Sequence, residues 1–209
     1  MPLKRKVLSL GITNACNLDC IYCYESNKDG TKMPLSIAKK AIIEAFSSLP
    51  EGEELEIDFF GGEPFLHFSL IKKIVTWVVD ELKPGRPYIF FATTNGTLIH
   101  GKIKKWLLQN KCIFYCCLSI DGTKKMHNHN RSSSYDSIDV DFFVTTWPHQ
   151  EIKMTVSMDT LPNLFEGVVF LHEKGFLVQF NLAENVNWSY SSALSMLNEQ
   201  LLKLAACRN

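Results

Sequence analysis

A surplus of charge of one sign is what this chain most plainly lacks: 22 Lys and Arg stand against 22 Asp and Glu, a formal net charge of zero over 209 residues. Without a surplus, no global field draws the chain toward nucleic acid or anionic lipid. The short basic cluster Lys4-Arg5-Lys6 leads directly into a strand pattern and reads as a solvated chain end. Long apolar runs are missing as well. All are interrupted well short of the roughly 18 to 20 residues that span a bilayer, and the N-terminus has no long apolar core of a secretion signal. Neither nucleic acid nor a membrane is therefore expected as a partner. No linker, low-complexity tract or internal repeat breaks the chain, so its 209 residues are expected to form one domain, 1–209. Hydrophobic residues at 46% and charged ones at 21% describe an ordinary globular composition.

A disulfide framework is also missing. The seven cysteines are an odd number, two of them adjacent at Cys116 and Cys117, which fits a reducing cytoplasm better than secretion.

What the chain does contain is an alternation of short β-rich runs and longer helical patterns. Val7–Ile12, Leu55–Phe60, Tyr88–Ala92, Phe114–Ile120, Glu151–Ser157 and Phe176–Leu182 read as strands. Leu35–Ser48, Leu66–Leu82, Ile99–Gln109, Tyr135–Thr146, Leu161–Lys174 and Tyr190–Ala206 read as helices. Pro34 opens the first helix ahead of an apolar stripe at helical spacing, and Pro162 and Gly175 bracket the fifth. Such alternation is the mark of right-handed βαβ units around parallel strands. Six units in this length predict an α/β fold, a partial (β/α)6 TIM-like barrel, rather than the closed eight-stranded form of about 250 residues.

The most informative stretch follows the first strand. Cys16, Cys20 and Cys23, spaced C-x3-C-x2-C, can hold three corners of a cubane iron–sulfur cluster, whose full protein ligation takes four cysteines. The fourth iron would stay open to a small molecule, as catalytic zinc sites keep one position free. Zinc with a distant fourth ligand, or plain apolar filling, suits the spacing too. Three further motifs sit where strands end: Gly61-Gly62-Glu63-Pro64, Thr94-Asn95-Gly96 and Leu118-Ser119-Ile120-Asp121-Gly122. In barrel folds the loops at strand C-termini build the active site.

With Tyr22 supplying the aromatic of C-x3-C-x-aromatic-C, the four motifs in this order resemble those of radical S-adenosylmethionine enzymes, most nearly the peptide maturases and anaerobic sulfatase-maturing enzymes. The resemblance implies that the three cysteines hold a [4Fe-4S] cluster. It also implies that the open iron binds S-adenosylmethionine and that reductive cleavage yields a 5′-deoxyadenosyl radical that abstracts hydrogen from a substrate. By the same resemblance the Gly61–Pro64 loop receives the cofactor's amino group, with Glu63 supplying negative charge near it. Arg131 grips the carboxylate, a task for a bidentate guanidinium. Ser119, with Asp121 on the same strand face, meets the ribose or methionine portion, and Tyr22 and Leu182 flank the adenine. Asn95 and Ser157 are further cofactor candidates, although Asn-Gly is a strong turn pair and Ser157 also suits a strand cap. No catalytic side chain is assigned.

His67, His127 and His129 lack ligand spacing and read as surface or loop residues, with Asn128 standing where the family has an aspartate. Cys117, Trp147 and Trp188 read as packing. A peptide or protein is the expected substrate and a ferredoxin or flavodoxin the expected electron donor. A small-molecule substrate, or a remnant that binds the cofactor without turnover, are the alternatives. Relatives in the maturase branch carry a cysteine-rich auxiliary domain, and Cys112, Cys116, Cys117 and Cys207 make no persuasive second ligand set, so only the core domain is expected within 1–209.

Overall fold

The computed structural model describes residues 4–184 and 186–207. Its elements run β1 (Lys4–Thr13), α1 (Leu35–Ser47), β2 (Glu53–Gly61), α2 (Phe68–Thr76), β3 (Tyr88–Thr94), α3 (Gly101–Asn110), β4 (Phe114–Leu118), α4 (Lys124–Asn130), α5 (Val140–Thr146), β5 (Glu151–Val156), α6 (Leu164–Glu173), β6 (Leu177–Leu182) and α7 (Ser191–Ala206). Two compact units emerge, Met1–Asn17 with Asn27–Cys117, and Leu18–Ser26 with Leu118–Asn209.

In the first unit the strands lie in the order β1-β2-β3-β4, and the β1/β2 and β2/β3 pairs are parallel. Register puts Leu8 beside Ile57 and Leu10 beside Phe59, on the face that also buries Leu55 and Phe90. An aromatic stack forms on this face. Phe59 lies 5.7 Å from Phe114 and 6.0 Å from Phe90, nearly parallel to both, while Trp106 of α3 meets Phe114 edge-on at 5.3 Å. Such pairs add to the stabilisation from burial alone. Alternation along the strands sends Arg5, Ser9, Glu56 and Asp58 to the opposite, polar face, where Arg5 bonds Glu56 at 3.0 Å.

In the second unit β5 and β6 pair in parallel, and the backbone just past β4 joins β5 through the Ile120 N–H to the Lys153 carbonyl, 2.9 Å. Ile152, Met154 and Val156 of β5 are buried with Leu164, Val168 and Leu171 of α6. Phe142, Phe143 and Trp147 form a further aromatic cluster, as their reading as packing expected for Trp147.

All six expected strands form, two helical expectations need correction, and one helix was not expected. The Leu66–Leu82 segment is not one helix: a 3-10 turn over Pro64–His67 precedes α2, which ends in π turns over Trp77–Leu82 and a left-handed Lys83 at φ 44°. Tyr135–Thr146 is broken, because Asp139 caps a fresh helix by accepting the Phe142 N–H. Residues 124–130, where no helix was expected, form α4, whose start Thr123 caps by accepting the Met126 N–H. His127 is thereby corrected: it is fully buried, not a surface or loop histidine. Among the described residues, no helix is long and apolar enough to cross a membrane.

Candidate active site

The loop that leaves β1 is closed at its base. Its returning strand pairs Lys32 with Thr13 in antiparallel fashion, the Met33 N–H donates to the Ile12 carbonyl at 2.9 Å, and Thr13 Oγ1 donates to the Thr31 carbonyl at 2.8 Å. Cys16 sits at the outgoing stem, in the first unit. Cys20, Tyr22 and Cys23 lie on the middle of the loop, in the second.

In the first unit, the Gly61–Pro64 loop braces that stem. The Gly62 N–H donates to the Thr13 carbonyl at 2.9 Å and the Glu63 N–H to the Ala15 carbonyl at 2.8 Å. The two glycines are there because backbone meets backbone: a Cβ on Gly61 would stand 2.1 Å from the Thr13 oxygen, and one on Gly62 2.3 Å from that of Ala15. Gly61 also has φ 137°, open to glycine but not to a side chain.

Glu63 is fully buried, and its carboxylate ties two loops together. Oε1 accepts the Phe65 N–H at 3.1 Å and the Thr94 hydroxyl at 2.9 Å, while Oε2 accepts the Asn95 N–H at 2.8 Å. Pro64 is buried beside it. Asn95 in turn donates from Nδ2 to Asn17 Oδ1 at 3.0 Å and to Cys16 Sγ at 3.9 Å. Burial foremost, with the charge of Glu63, pushes the Cys116 thiol well up, so this neighbour stays protonated and unreactive.

In the second unit Asp121 is the hub. Fully buried, it accepts the Thr155 N–H at 2.8 Å on Oδ1, and on Oδ2 the Asn130 amide at 3.1 Å and the Tyr22 hydroxyl at 2.5 Å. The Arg131 Nε lies 3.0 Å from the same Oδ2, and the guanidinium stands 5.4 Å from the centre of the Tyr22 ring. Burial by itself would lower the arginine pKa, but Asp121 foremost, helped by Tyr22 and Cys20, holds it above the usual value. Tyr22 is raised, chiefly by burial, so its hydroxyl keeps its proton. Two backbone contacts pin the middle of the loop here: Ile21 N–H to the Asn130 carbonyl at 3.0 Å and Asp19 N–H to Ser132 Oγ at 2.9 Å.

His127 supports the hub from behind. Its Nδ1 accepts the Asp121 N–H at 3.3 Å and its Nε2 lies 3.0 Å from Ser134 Oγ, which sets the tautomer with hydrogen on Nε2. Burial, then the nearby Arg131 charge, lowers its pKa to about 4. Ser157 donates to Asn130 Oδ1 at 2.9 Å and also caps the turn that follows, accepting the Thr160 N–H at 3.3 Å. Ser119 is buried in the bridge to Lys153. Beside these residues lies a pocket of ≈ 260 Å³ lined by Tyr22, Cys23, Ser157, Asp159, Ala183 and Glu184 among others. Leu182 closes β6 one residue short of that lining.

Sequence reasoning thus singled out the corners of both networks, with Thr94 inside one of its motifs, and missed the connectors Asn17, Thr97, Asn130 and His127. Asn17, next to Cys16, borders a motif and was within reach. Asn130 and His127 carried no signal, because their role depends on α4 turning them inward. None of the seven cysteines is in a disulfide. Among the described residues no three His, Cys, Asp or Glu converge on one metal ion. A cubane, whose bound irons occupy separate corners, does not ask for that convergence.

A family model described as a 4Fe-4S single cluster domain matches residues 7–138. Among curated relatives, the uncharacterized protein MJ0907 of Methanocaldococcus jannaschii is 32% identical over 172 residues, 79% of this chain and 58% of its own. The radical SAM cyclopropyl synthase TigE of Paramaledivibacter caminithermalis is 27% identical over 64% of this chain and 30% of its own. A probable GTP 3′,8-cyclase of M. jannaschii is 24% identical over 82% of this chain and 57% of its own. Of solved structures, anSMEcpe with AdoMet and a peptide bound superposes with a TM-score of 0.78 at 22% identity, covering 96% of this chain and 59% of that one. Streptococcus suis SuiB bound to its precursor peptide SuiA gives 0.67 at 18% identity, covering 99% and 47%. These likenesses show the fold, the partial (β/α)6 barrel with parallel strands. The chain spans a little under three-fifths of the first relatives it matches: 58% of MJ0907 and 59% of anSMEcpe.

Proposed function

We propose, for a chain that belongs to the 4Fe-4S single-cluster family and to its radical S-adenosylmethionine branch, that Cys16, Cys20 and Cys23 hold a [4Fe-4S] cluster and that the protein binds S-adenosylmethionine to modify a peptide or protein side chain. The observation that carries the reading is the three-thiol loop, closed at its base and braced by the Gly61–Pro64 backbone. The donor set fits the group: three reduced thiols at C-x3-C-x2-C, with Cys16 held by an amide donor and Cys20 close enough to Arg131 for its thiolate and the guanidinium to attract. When bound, the cluster and S-adenosylmethionine together supply the reductive cleavage that releases a 5′-deoxyadenosyl radical.

The chain's own residues hold and orient. Gly61, Gly62, Glu63 and Pro64 would present the loop that receives the cofactor's amino group. The Glu63 carboxylate, already bonded by three donors, would act through its field. Arg131 would meet the carboxylate, kept charged and fixed in place by Asp121. Tyr22 and Ser157 line the pocket of the second unit, where with Leu182 they would flank the nucleoside. Ser119 and Asp121 would set the strand end from behind, and Asn95 would act from the Thr94-Asn95-Gly96 loop. A ferredoxin or flavodoxin would deliver the electron.

The peptide reading is supported by anSMEcpe and SuiB, both solved with a peptide bound. A small-molecule substrate is the second reading, favoured by the match to a probable GTP 3′,8-cyclase along 82% of this chain. Reconstitution without oxygen tests the common part. About four iron and four sulfide per chain are expected, with 5′-deoxyadenosine released on reduction. Cys20→Ala should lose the iron, since two thiolates do not hold what three retain. Zinc alone, or normal iron in that variant, refutes the proposal. Deuterium-labelled substrates then separate the two readings, since the abstracted hydrogen ends in 5′-deoxyadenosine: label arriving there from a peptide supports the first and from a nucleotide the second.

A further inference from the structure

Resting on the cluster reading above, we infer that Asn95 is a positioning residue that sets the reduction potential of the cluster through the Cys16 sulfur. The side chain is 6% exposed and its orientation follows from its partners. Asn95 Oδ1 accepts the Thr97 backbone N–H at 3.0 Å and the Thr97 hydroxyl at 2.8 Å. A backbone N–H only donates, so the amide atom facing it is oxygen, and the amide nitrogen must face the other way. Its two hydrogens have two acceptors, Asn17 Oδ1 at 3.0 Å and Cys16 Sγ at 3.9 Å. Asn17 closes the ring by donating from Nδ2 to Thr97 Oγ1 at 2.8 Å. From below, Glu63 Oε2 holds the Asn95 N–H at 2.8 Å. The side-chain amide is thus fixed by three contacts, its backbone by a fourth, and it is aimed at a sulfur that the sequence motif makes a cluster ligand.

A hydrogen bond to a ligand sulfur withdraws electron density from the thiolate and so favours the reduced, more negative cluster. Cys16 alone would feel this bond directly, which makes its corner electronically distinct. One end of the Asn95 amide closes the local turn on Thr97, and the other end reaches the loop that follows β1.

The test is a redox titration of the reconstituted protein, with the reduced fraction read by electron paramagnetic resonance. Asn95→Leu keeps the branched shape and removes the donor. It should retain iron near the wild-type content while the ratio of reduced to oxidised cluster at a fixed potential drops about tenfold, equivalent to about 59 mV for one electron. Asn95→Asp, which turns an oxygen toward the sulfur, should lower the ratio further. Thr97→Val removes one of the two donors orienting the amide and one acceptor of Asn17, so it should give a smaller shift in the same direction, and it carries the test if Asn95→Leu does not fold. A merely structural asparagine would change iron content or stability and leave the potential alone. Variants that hold the full cluster at the wild-type potential overturn this inference while the cluster reading stands. Loss of cluster from every variant overturns it too, because tuning requires a cluster that binds without the bond. A wild-type chain that takes up no cluster brings down both.

Discussion

Glu63→Gln separates a carboxylate that organises loops from one that waits for a ligand. Glu63 is fully buried and accepts from the Phe65 N–H, the Thr94 hydroxyl and the Asn95 N–H. In the glutamine variant one carboxylate oxygen becomes a donor. If the carbonyl keeps the two partners of Oε1, the new NH2 confronts the Asn95 N–H, two donors face to face. A buried donor left without an acceptor costs about 1–3 kcal/mol, and the two remaining bonds fall from the charge-assisted to the neutral range, about 1 kcal/mol each. Because the three share one group they do not add in full, and about 3 kcal/mol is expected. Urea unfolding of the apo protein, followed by fluorescence, measures it. With a slope of about 1–3 kcal/mol per M, the midpoint should fall by about 1 M or more at unchanged slope. A fall of less than about 0.3 M, or a rise, would refute the reasoning. It would mean that the carboxylate's donors contribute little in the absence of a ligand and that its place is to meet the cofactor directly.

Other consequences are open to the same measurements. Gly61→Ala and Gly62→Ala each drive a methyl group to within 2.3 Å of a backbone oxygen, and should cost about 3 kcal/mol or more and reduce iron uptake in parallel; full iron content in either variant contradicts the bracing role. Asp121→Asn leaves the buried Arg131 guanidinium without its counter-charge, an expected loss of about 3–5 kcal/mol in thermal or urea unfolding. Stability should also depend on pH through His127. Its folded pKa, about 4, lies below the ordinary value of 6.5, so between these limits the unfolded chain binds a proton that the folded one refuses. Its contribution is therefore complete above 6.5 and is lost as the pH falls toward 4, by about 3 kcal/mol in total. His127→Gln should flatten that part of the urea-midpoint profile, and an unchanged slope would place the titration elsewhere.

The periodicity of β and helical runs, set by local alternation, was enough to place all six strands and the fold class. The three-cysteine motif and the strand-end loops were legible because their residue types and spacing carry chemistry within a few positions of one another. Helix breaks at Asp139 and after Thr76 were not, since a cap or a π turn competes with a continuing helix by a margin that the pattern of apolar residues does not reveal. Nor was α4, whose polar run Lys124–Asn130 has no apolar stripe and becomes helical through its Thr123 cap and the burial of Met126, His127 and Asn130.

What the amino-acid sequence determined by itself, then, was the fold class and the family resemblance, because strand alternation, cysteine spacing and glycine turns act through identity and order. What only the tertiary structure decided was where the polar atoms of the motifs are engaged. Glu63, Asn95 and Asp121 find partners from 31 to 99 positions away, Arg131 meets Asp121 across a helix that local pattern hides, and a buried polar group is obliged to bond whatever the fold brings beside it.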